Sequence, residues 1–301
     1  MKNYFPFLIA IIFFNCSCNS SNQESVSLKK SSSLAGLWLG KLEIKPGKYL
    51  PFNFEITKDS IFFVNGQEKI SGLIVKSTDS TFKIKMPVFN SEFNFILKDD
   101  NLEGEWINQA KGSGYIIPFC ATRSSNINHR FSSSNSLLSS SISGKWEVDF
   151  AYKTQEKYKA IGVFKQEKNN LTGTFITETG DYRYLQGNSI KDSIFLSCFD
   201  GSHAFLFEAK LENEALNGVF YSGKHYQNSW EAHRNSSFSL SDPDSITKIN
   251  PEFPVSFSFP DLDSNIVSFP SSLFNNKVLI VQIIGSWCPN CLDETAFFNA
   301  L

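Results

Sequence analysis

Two cysteines, Cys288 and Cys291, carry the most specific chemistry in this sequence. They are spaced C-x-x-C within Gly285-Ser286-Trp287-Cys288-Pro289-Asn290-Cys291. Pro289 suits the first turn of a helix, and Leu292, Ala296, Phe297 and Ala300 recur at helical spacing, so the pair is placed at a helix N-terminus. There the unsatisfied N–H groups and the positive end of the helix dipole favour a thiolate on the first sulfur. A thiolate attacks disulfides, and a second thiol one turn further on can resolve the mixed disulfide. The same spacing also admits a structural disulfide or half of a zinc site. Zinc needs two more ligands at suitable spacing. Cys120 and Cys198 lie far away in sequence, and His129, His203, His225 and His233 form no spaced pair, so no metal is expected. A peroxidatic centre would instead place a single cysteine in a Pro/Thr-rich loop.

The elements around this pair depart from the rest of the chain. Residues 257–269 alternate and carry a turn at Asp263-Ser264-Asn265, which predicts a hairpin. Residues 277–284 are a near-continuous, β-branched apolar run, as in a strand covered on both faces of an α/β sheet. Phe259-Pro260-Asp261-Leu262-Asp263, then Lys277-Val278-Leu279-Ile280-Val281, then Trp287-Cys288-Pro289-Asn290-Cys291-Leu292-Asp293-Glu294 resembles the TlpA/ResA-like branch of the thioredoxin superfamily, over about residues 252–301. These are membrane-tethered, periplasm-facing thiol–disulfide reductases. The resemblance implies that Cys288 is the nucleophile and Cys291 the resolving thiol, together a redox-active disulfide. It implies that Trp287 and Pro289 shield the site and that Glu294 handles a proton. It implies disulfide-bearing exported proteins as substrates and a membrane electron donor, with no cofactor. In that family the helix leads into further strands and a cis-proline loop. The residues after Cys291 are too few to hold these, so residues 252–301 read as the start of an incomplete, C-terminally truncated domain.

At the other end, Lys2 precedes an apolar run over residues 4–14, too short for a comfortable membrane span and built like a secretory signal. It ends in Asn15-Cys16-Ser17-Cys18, followed by a polar tether. This resembles a bacterial lipoprotein signal, which implies lipid attachment at a cysteine, at Cys18 because small Ser17 precedes it, or alternatively at Cys16. Residues 1–18 are then the signal peptide and 19–35 the tether. The expected location is the cell envelope, lipid-anchored and facing the periplasm.

Between these ends lies an internal repeat. Gly36-Leu37-Trp38 recurs as Gly144-Lys145-Trp146, and Asn101-Leu102-Glu103-Gly104 as Ala215-Leu216-Asn217-Gly218. Ser91-Glu92-Phe93-Asn94-Phe95 recurs loosely over residues 202–207, and each copy closes on a short strand ending in Arg123 or Arg234. Alternating segments separated by turn signals such as Asn65-Gly66 predict two antiparallel meanders, barrel- or sandwich-like, over residues 36–123 and 144–235. Ser-rich linkers are expected over 124–143 and 236–251. The predicted fold is therefore mainly β: two repeated antiparallel modules followed by the N-terminal part of an α/β thioredoxin-like domain. Trp38, Trp106, Trp146 and Trp230 are expected to plug the β cores, and Cys120 and Cys198 to be thiols buried in strands. Residues 177–183 and 200–203 are dense in polar groups with no counterpart in the first copy. They suit either hairpin loops or a binding mouth.

Composition narrows the partners. With 28 basic and 30 acidic residues the net charge is −2, so no long-range field favours nucleic acid. Hydrophobic residues at 41% exclude a wholly disordered chain. Two functions follow. One is an exported, membrane-anchored thiol–disulfide oxidoreductase acting through Cys288 and Cys291. The alternative is a binding or interaction lipoprotein whose duplicated β modules carry the function, with an inert redox segment.

Overall fold

The computed structural model describes residues 33–76, 78, 80–86, 89–131, 138, 140–248, 250–285 and 288–301. The signal segment, Cys16, Cys18 and Trp287 lie outside them.

The first copy forms β1 (Gly36–Lys45), β2 (Lys48–Ile56), β3 (Ser60–Asn65), β4 (Glu68–Lys76), β5 (Thr81–Lys85), β6 (Ser91–Lys98), β7 (Asn101–Asn108) and β8 (Ile116–Arg123). Each strand pairs antiparallel with the next, and β8 returns to β1, so the sheet closes into a barrel. Along β1 every second side chain is buried, from Trp38 through Leu42 to Ile44. That period of two is what sends one face of a strand into a barrel and the other to solvent.

The second copy forms β9 (Gly144–Phe150), β10 (Tyr158–Glu167), β11 (Asn170–Thr177), a two-residue β12 (Gly180–Asp181), β13 (Leu185–Ile190), β14 (Ser193–Phe199), β15 (Ala204–Glu212), β16 (Ala215–Ser222) and β17 (Tyr226–Arg234). β17 pairs with β9, and β10 bridges β9 to β11, so eight of these strands close a second barrel. β12 is appended to the end of β11. Two antiparallel eight-stranded barrels are thus the body of the molecule.

Aromatic side chains fill both interiors. In the first barrel the rings of Phe93 and Phe119 lie 4.9 Å apart, and in the second those of Phe207 and Phe220 lie 4.4 Å apart. All four of Trp38, Trp106, Trp146 and Trp230 are buried. Each buried ring contributes about 1.5–3 kcal/mol relative to exposure. Fourteen of the 30 Phe residues are buried in these two cores.

The barrels interlock. Phe199, the last residue of β14, enters the core of the first barrel, with its ring 4.7 Å from that of Phe52 and 5.1 Å from that of Trp106. The turn that follows docks on the same end. Asn65 Nδ2 donates to Phe199 O at 2.9 Å, and Asn108 Nδ2 donates to Ser202 O at 3.0 Å. Gly201 has φ +95°, a conformation that favours glycine, and the Met86 side chain packs against it.

Beyond the barrels come a short helix α1 (Pro243–Ile246), a two-stranded hairpin of β18 (Phe257–Pro260) and β19 (Ile266–Phe269), and helix α2 (Pro289–Phe298). The α/β thioredoxin-like domain expected here is not formed. Residues 277–284 make no strand, and Val278 and Ile283 are each 94% exposed. A strand of that composition needs paired neighbours and cover on both faces. Among the described residues none supplies either. The apolar run has strand composition without a sheet to join.

Candidate functional site: a groove beside the second barrel

With both barrel interiors filled by aromatic rings, the concave space lies outside them. A groove of about 670 Å³ runs along the outer face of the second barrel. Its wall comes from β10 and β11. Val163 pairs with Thr174 and Lys165 with Thr172, which places these four side chains on one face of the ladder. Gly173 lets the two strands approach, since a Cβ there would stand 2.3 Å from Val163 O.

One end of the groove belongs to the first barrel and the connection between barrels. Gly66 and Gln67 form the β3–β4 turn, and Asn128 comes from the connecting loop. Gln186 at the start of β13 holds these parts together. Its Oε1 accepts from Gly66 N at 2.9 Å, and its Nε2 donates to Ile127 O at 3.0 Å.

Behind this end sits Arg130, 1% exposed and contributed by the segment that the sequence presents as a linker. Its guanidinium donates to Asn53 Oδ1 at 3.0 Å, to Ser197 O at 2.9 Å, to Gln186 Oε1 at 3.2 Å and to Val64 O. These acceptors are neutral and come from both barrels. Burial pushes the guanidinium pKa down to about 10. A buried cation held this way is costly to leave unpaired, so it fixes the register of the two barrels.

A second polar cluster beside the groove is built on Arg183 and Asp200. Arg183 has φ +61°, its N–H donates to Asp181 Oδ1 at 2.7 Å, and its guanidinium bonds Glu68 of the first barrel. Its Nε lies 4.0 Å from Asp200 Oδ2. Burial alone would raise the Asp200 pKa. The His203 side chain at 3.0 Å and the N–H groups of His203 and Ser202 outweigh it and hold the carboxyl below the usual range. Tyr184, 57% exposed, also lines the groove.

The polar stretches 177–183 and 200–203 therefore do converge. Asp181, Arg183 and His203 line a smaller hollow of about 140 Å³, whose far wall is Cys288 and Asn290. Cys288 caps α2 and is joined to Cys291 as a disulfide. Pro289 opens the helix. Glu294 is turned toward Gln282, its Oε2 accepting from Gln282 Nε2 at 2.8 Å. Trp287 and both candidate lipid-attachment cysteines lie outside the described residues. Cys198 is fully buried on β14, where burial raises its pKa, and Cys120 is half-buried on β8. Among the described residues no group of three or more His, Cys, Asp or Glu is placed to hold a metal ion.

This geometry overturns the thiol–disulfide oxidoreductase reading and the thioredoxin, redoxin and disulfide-reductase assignments that went with it. In the thioredoxin arrangement the C-x-x-C helix is seated on a central sheet that positions the substrate disulfide. Here, among the described residues, no sheet lies beneath α2, and its first turn meets the β11–β12 loop, where Asn290 approaches Gly180. Reasoning from sequence also missed Gly66, Gln67, Val163, Thr174 and Arg130. The Asn65-Gly66 turn was visible, and so was an Arg-Phe pair inside a Ser/Asn-rich stretch. Neither reveals which distant strand it meets.

No protein-family model matches the chain, and no curated protein matches it. Two solved structures resemble it. One is a "putative outer membrane protein" from Bacteroides fragilis, at 10% identity and a TM-score of 0.21, over 66% of this chain and 94% of that one. The other is a protein with unknown function from the DUF3598 family of Nostoc punctiforme, at 9% identity and a TM-score of 0.20, over the same shares, 66% and 94%. Likenesses this distant carry no argument about function, and the fold stands on the strand pairing itself.

Proposed function

We propose that this protein is a binding lipoprotein of the cell envelope in which the interlocked barrel pair carries the function and the groove beside the second barrel is the binding site. The single observation behind this reading is where the concave space lies. Both interiors are packed with aromatic rings, whereas the groove is assembled from both barrels, the connecting loop and α2. Its size falls within the usual range for ligand sites, about 300–1,000 Å³. Export and anchoring rest on the N-terminal sequence, with Cys18 as the lipid-attachment residue and Cys16 as the alternative. The redox chemistry of Cys288 and Cys291 has no part in this reading. Their disulfide holds the first turn of α2, from which Asn290 reaches the groove.

Small-probe mapping tests it. Phenol and isopropanol are titrated into the isotope-labelled chain and amide shifts are followed. The expected result is perturbation concentrated at Val163, Thr174 and Tyr184. Perturbation concentrated among interior residues such as Phe93 or Phe207, or spread without focus, overturns the assignment of the site.

A further inference from the structure

We infer that the ligand of this groove is a neutral, polyhydroxylated chain, an oligosaccharide, and this rests on the groove being the binding site. Charge is the first reason. The charged groups lining the groove are Lys165, Glu167, Asp181 and Arg183, two of each sign. Lys165 and Glu167 pair at 2.7 Å, and Arg183 is already bound to Glu68. An anionic ligand would have to compete with that partly buried carboxylate, and a cationic one meets no excess of negative charge among the lining residues.

The remaining polar surface is made of amides and hydroxyls. Gln67, Asn128 and Asn290 present amide groups, and Thr172 and Thr174 present hydroxyls. Amides and hydroxyls both donate and accept, as sugar hydroxyls do, so they suit a ligand with many alternating donors and acceptors. Tyr184 and Val163 add exposed apolar surface to the lining, 57% and 42% accessible. A pyranose ring offers a face of C–H bonds that stacks on the electron-rich face of a phenol ring.

Two other ligand classes fit less well. An extended peptide would add to a free strand edge. β10 is hydrogen-bonded to β9 as far as Phe164 and to β11 over Ile161–Glu167, and β11 is also paired with β13 over Asn170–Gly173, so the wall strands leave only short free stretches rather than an edge long enough for an extended peptide. A lipid tail would need a closed, predominantly apolar cavity, and the groove is open, with polar and apolar surface in nearly equal parts.

The test is calorimetric titration of the full chain with hexasaccharides of glucose, mannose, xylose and N-acetylglucosamine. Hexagalacturonate and a neutral Gly/Ser/Ala hexapeptide are the comparison probes. At least one neutral glycan is expected to bind, with Kd changing less than about twofold between about 50 and 500 mM NaCl, as befits an uncharged ligand. Tyr184→Ala is expected to weaken it about tenfold, the scale on which one stacked aromatic ring contributes. Tyr184 is largely exposed, so the variant should fold, and its unfolding curve checks this. Binding of only the acidic glycan or the peptide, binding of no neutral glycan, or neutral-glycan binding indifferent to Tyr184→Ala overturns the proposal. If the phenol and isopropanol probes still map to the groove in that event, the ligand class is wrong and the site stands. If they do not, both readings fall.

Discussion

Arg123 lies over the indole of Trp38, its guanidinium carbon 4.0 Å from the ring centre, where the last strand of the first barrel closes on the first. The two residues are direct cross-strand partners, and Arg123 also donates to the Ala35 carbonyl at 2.7 Å. Arg234 repeats this over Trp146 at 4.6 Å, again as a direct partner, and donates to Ser143 O at 2.8 Å. Each indole N–H in turn donates to the carbonyl four residues upstream, Leu34 O and Ile142 O. One device therefore closes both barrels, combining a cation–π contact with hydrogen bonds that tie down the incoming chain. Arg123→Ala and Arg234→Ala should each cost about 1–2 kcal/mol. Their effects should add within about 0.5 kcal/mol because the sites share no partner. Urea unfolding of the single and double variants measures both statements.

Gly104 and Gly218 occupy matching places on β7 and β16. A Cβ on either would stand 2.0 Å from a backbone carbonyl oxygen of the neighbouring strand, Asn94 O or Glu208 O. Because the obstacle is backbone, no side-chain rotation relieves it. Gly104→Ala and Gly218→Ala should each destabilise by about 1–3 kcal/mol through strand displacement. Thermal unfolding that leaves both variants at the parent midpoint would count against this packing.

Phe199 couples the two cores. Phe199→Ala removes a ring that touches Phe52, Phe63, Phe93 and Trp106 of the other barrel. The expected loss is about 3–5 kcal/mol. Calorimetry should also show the single unfolding transition broaden or split, because the variant weakens the contact between barrels more than either core. A uniform downward shift with unchanged cooperativity would mean that Phe199 serves only local packing.

Asp200 gives a dependence on pH. Its folded carboxyl sits below the usual value because its bonds to His203 and Ser202 outweigh burial. Such a group adds stability above its unfolded pKa of about 3.8, and that stability is lost as pH falls through the lower folded value. Stability should therefore drop below about pH 4. Asp200→Asn should flatten this part of the curve while lowering stability at neutral pH. Denaturation midpoints from about pH 2 to 7 for both proteins decide it.

The disulfide should be a local feature. Neither Cys288 nor Cys291 belongs to a barrel core, and their bond spans one helical turn. Replacing both by serine should leave the main unfolding transition within about 0.5 kcal/mol of the parent. Amide exchange should quicken at the start of α2, where Cys288 Sγ accepts from Cys291 N at 3.3 Å.

Two antiparallel β modules were legible in the sequence, with barrel and sandwich left open, because their determinants are local and doubled. Alternation over two residues sets which face of each strand is buried, and the recurrence of Gly-x-Trp and of a closing Arg marks two copies of one plan. Sequence alone placed Trp38 and Arg123 at the two ends of a copy. Only closure of the sheet makes them neighbours, because cross-strand partners so far apart along the chain share no local signal. The run 277–284 misled for the converse reason. Apolar, β-branched composition states a preference for a covered strand, and whether cover exists depends on other elements. The groove lay furthest from what residues could reveal. Its wall is the outward face of β10 and β11, made of Val, Thr and Lys of the kind any barrel exposes. What makes that face concave is the β3–β4 turn docked against Gln186 and the buried Arg130 that holds the barrels in register. Local propensity determined the alternating strands and their two copies, while sheet closure and the burial of one cation and one phenylalanine between the two barrels decided where a ligand could sit.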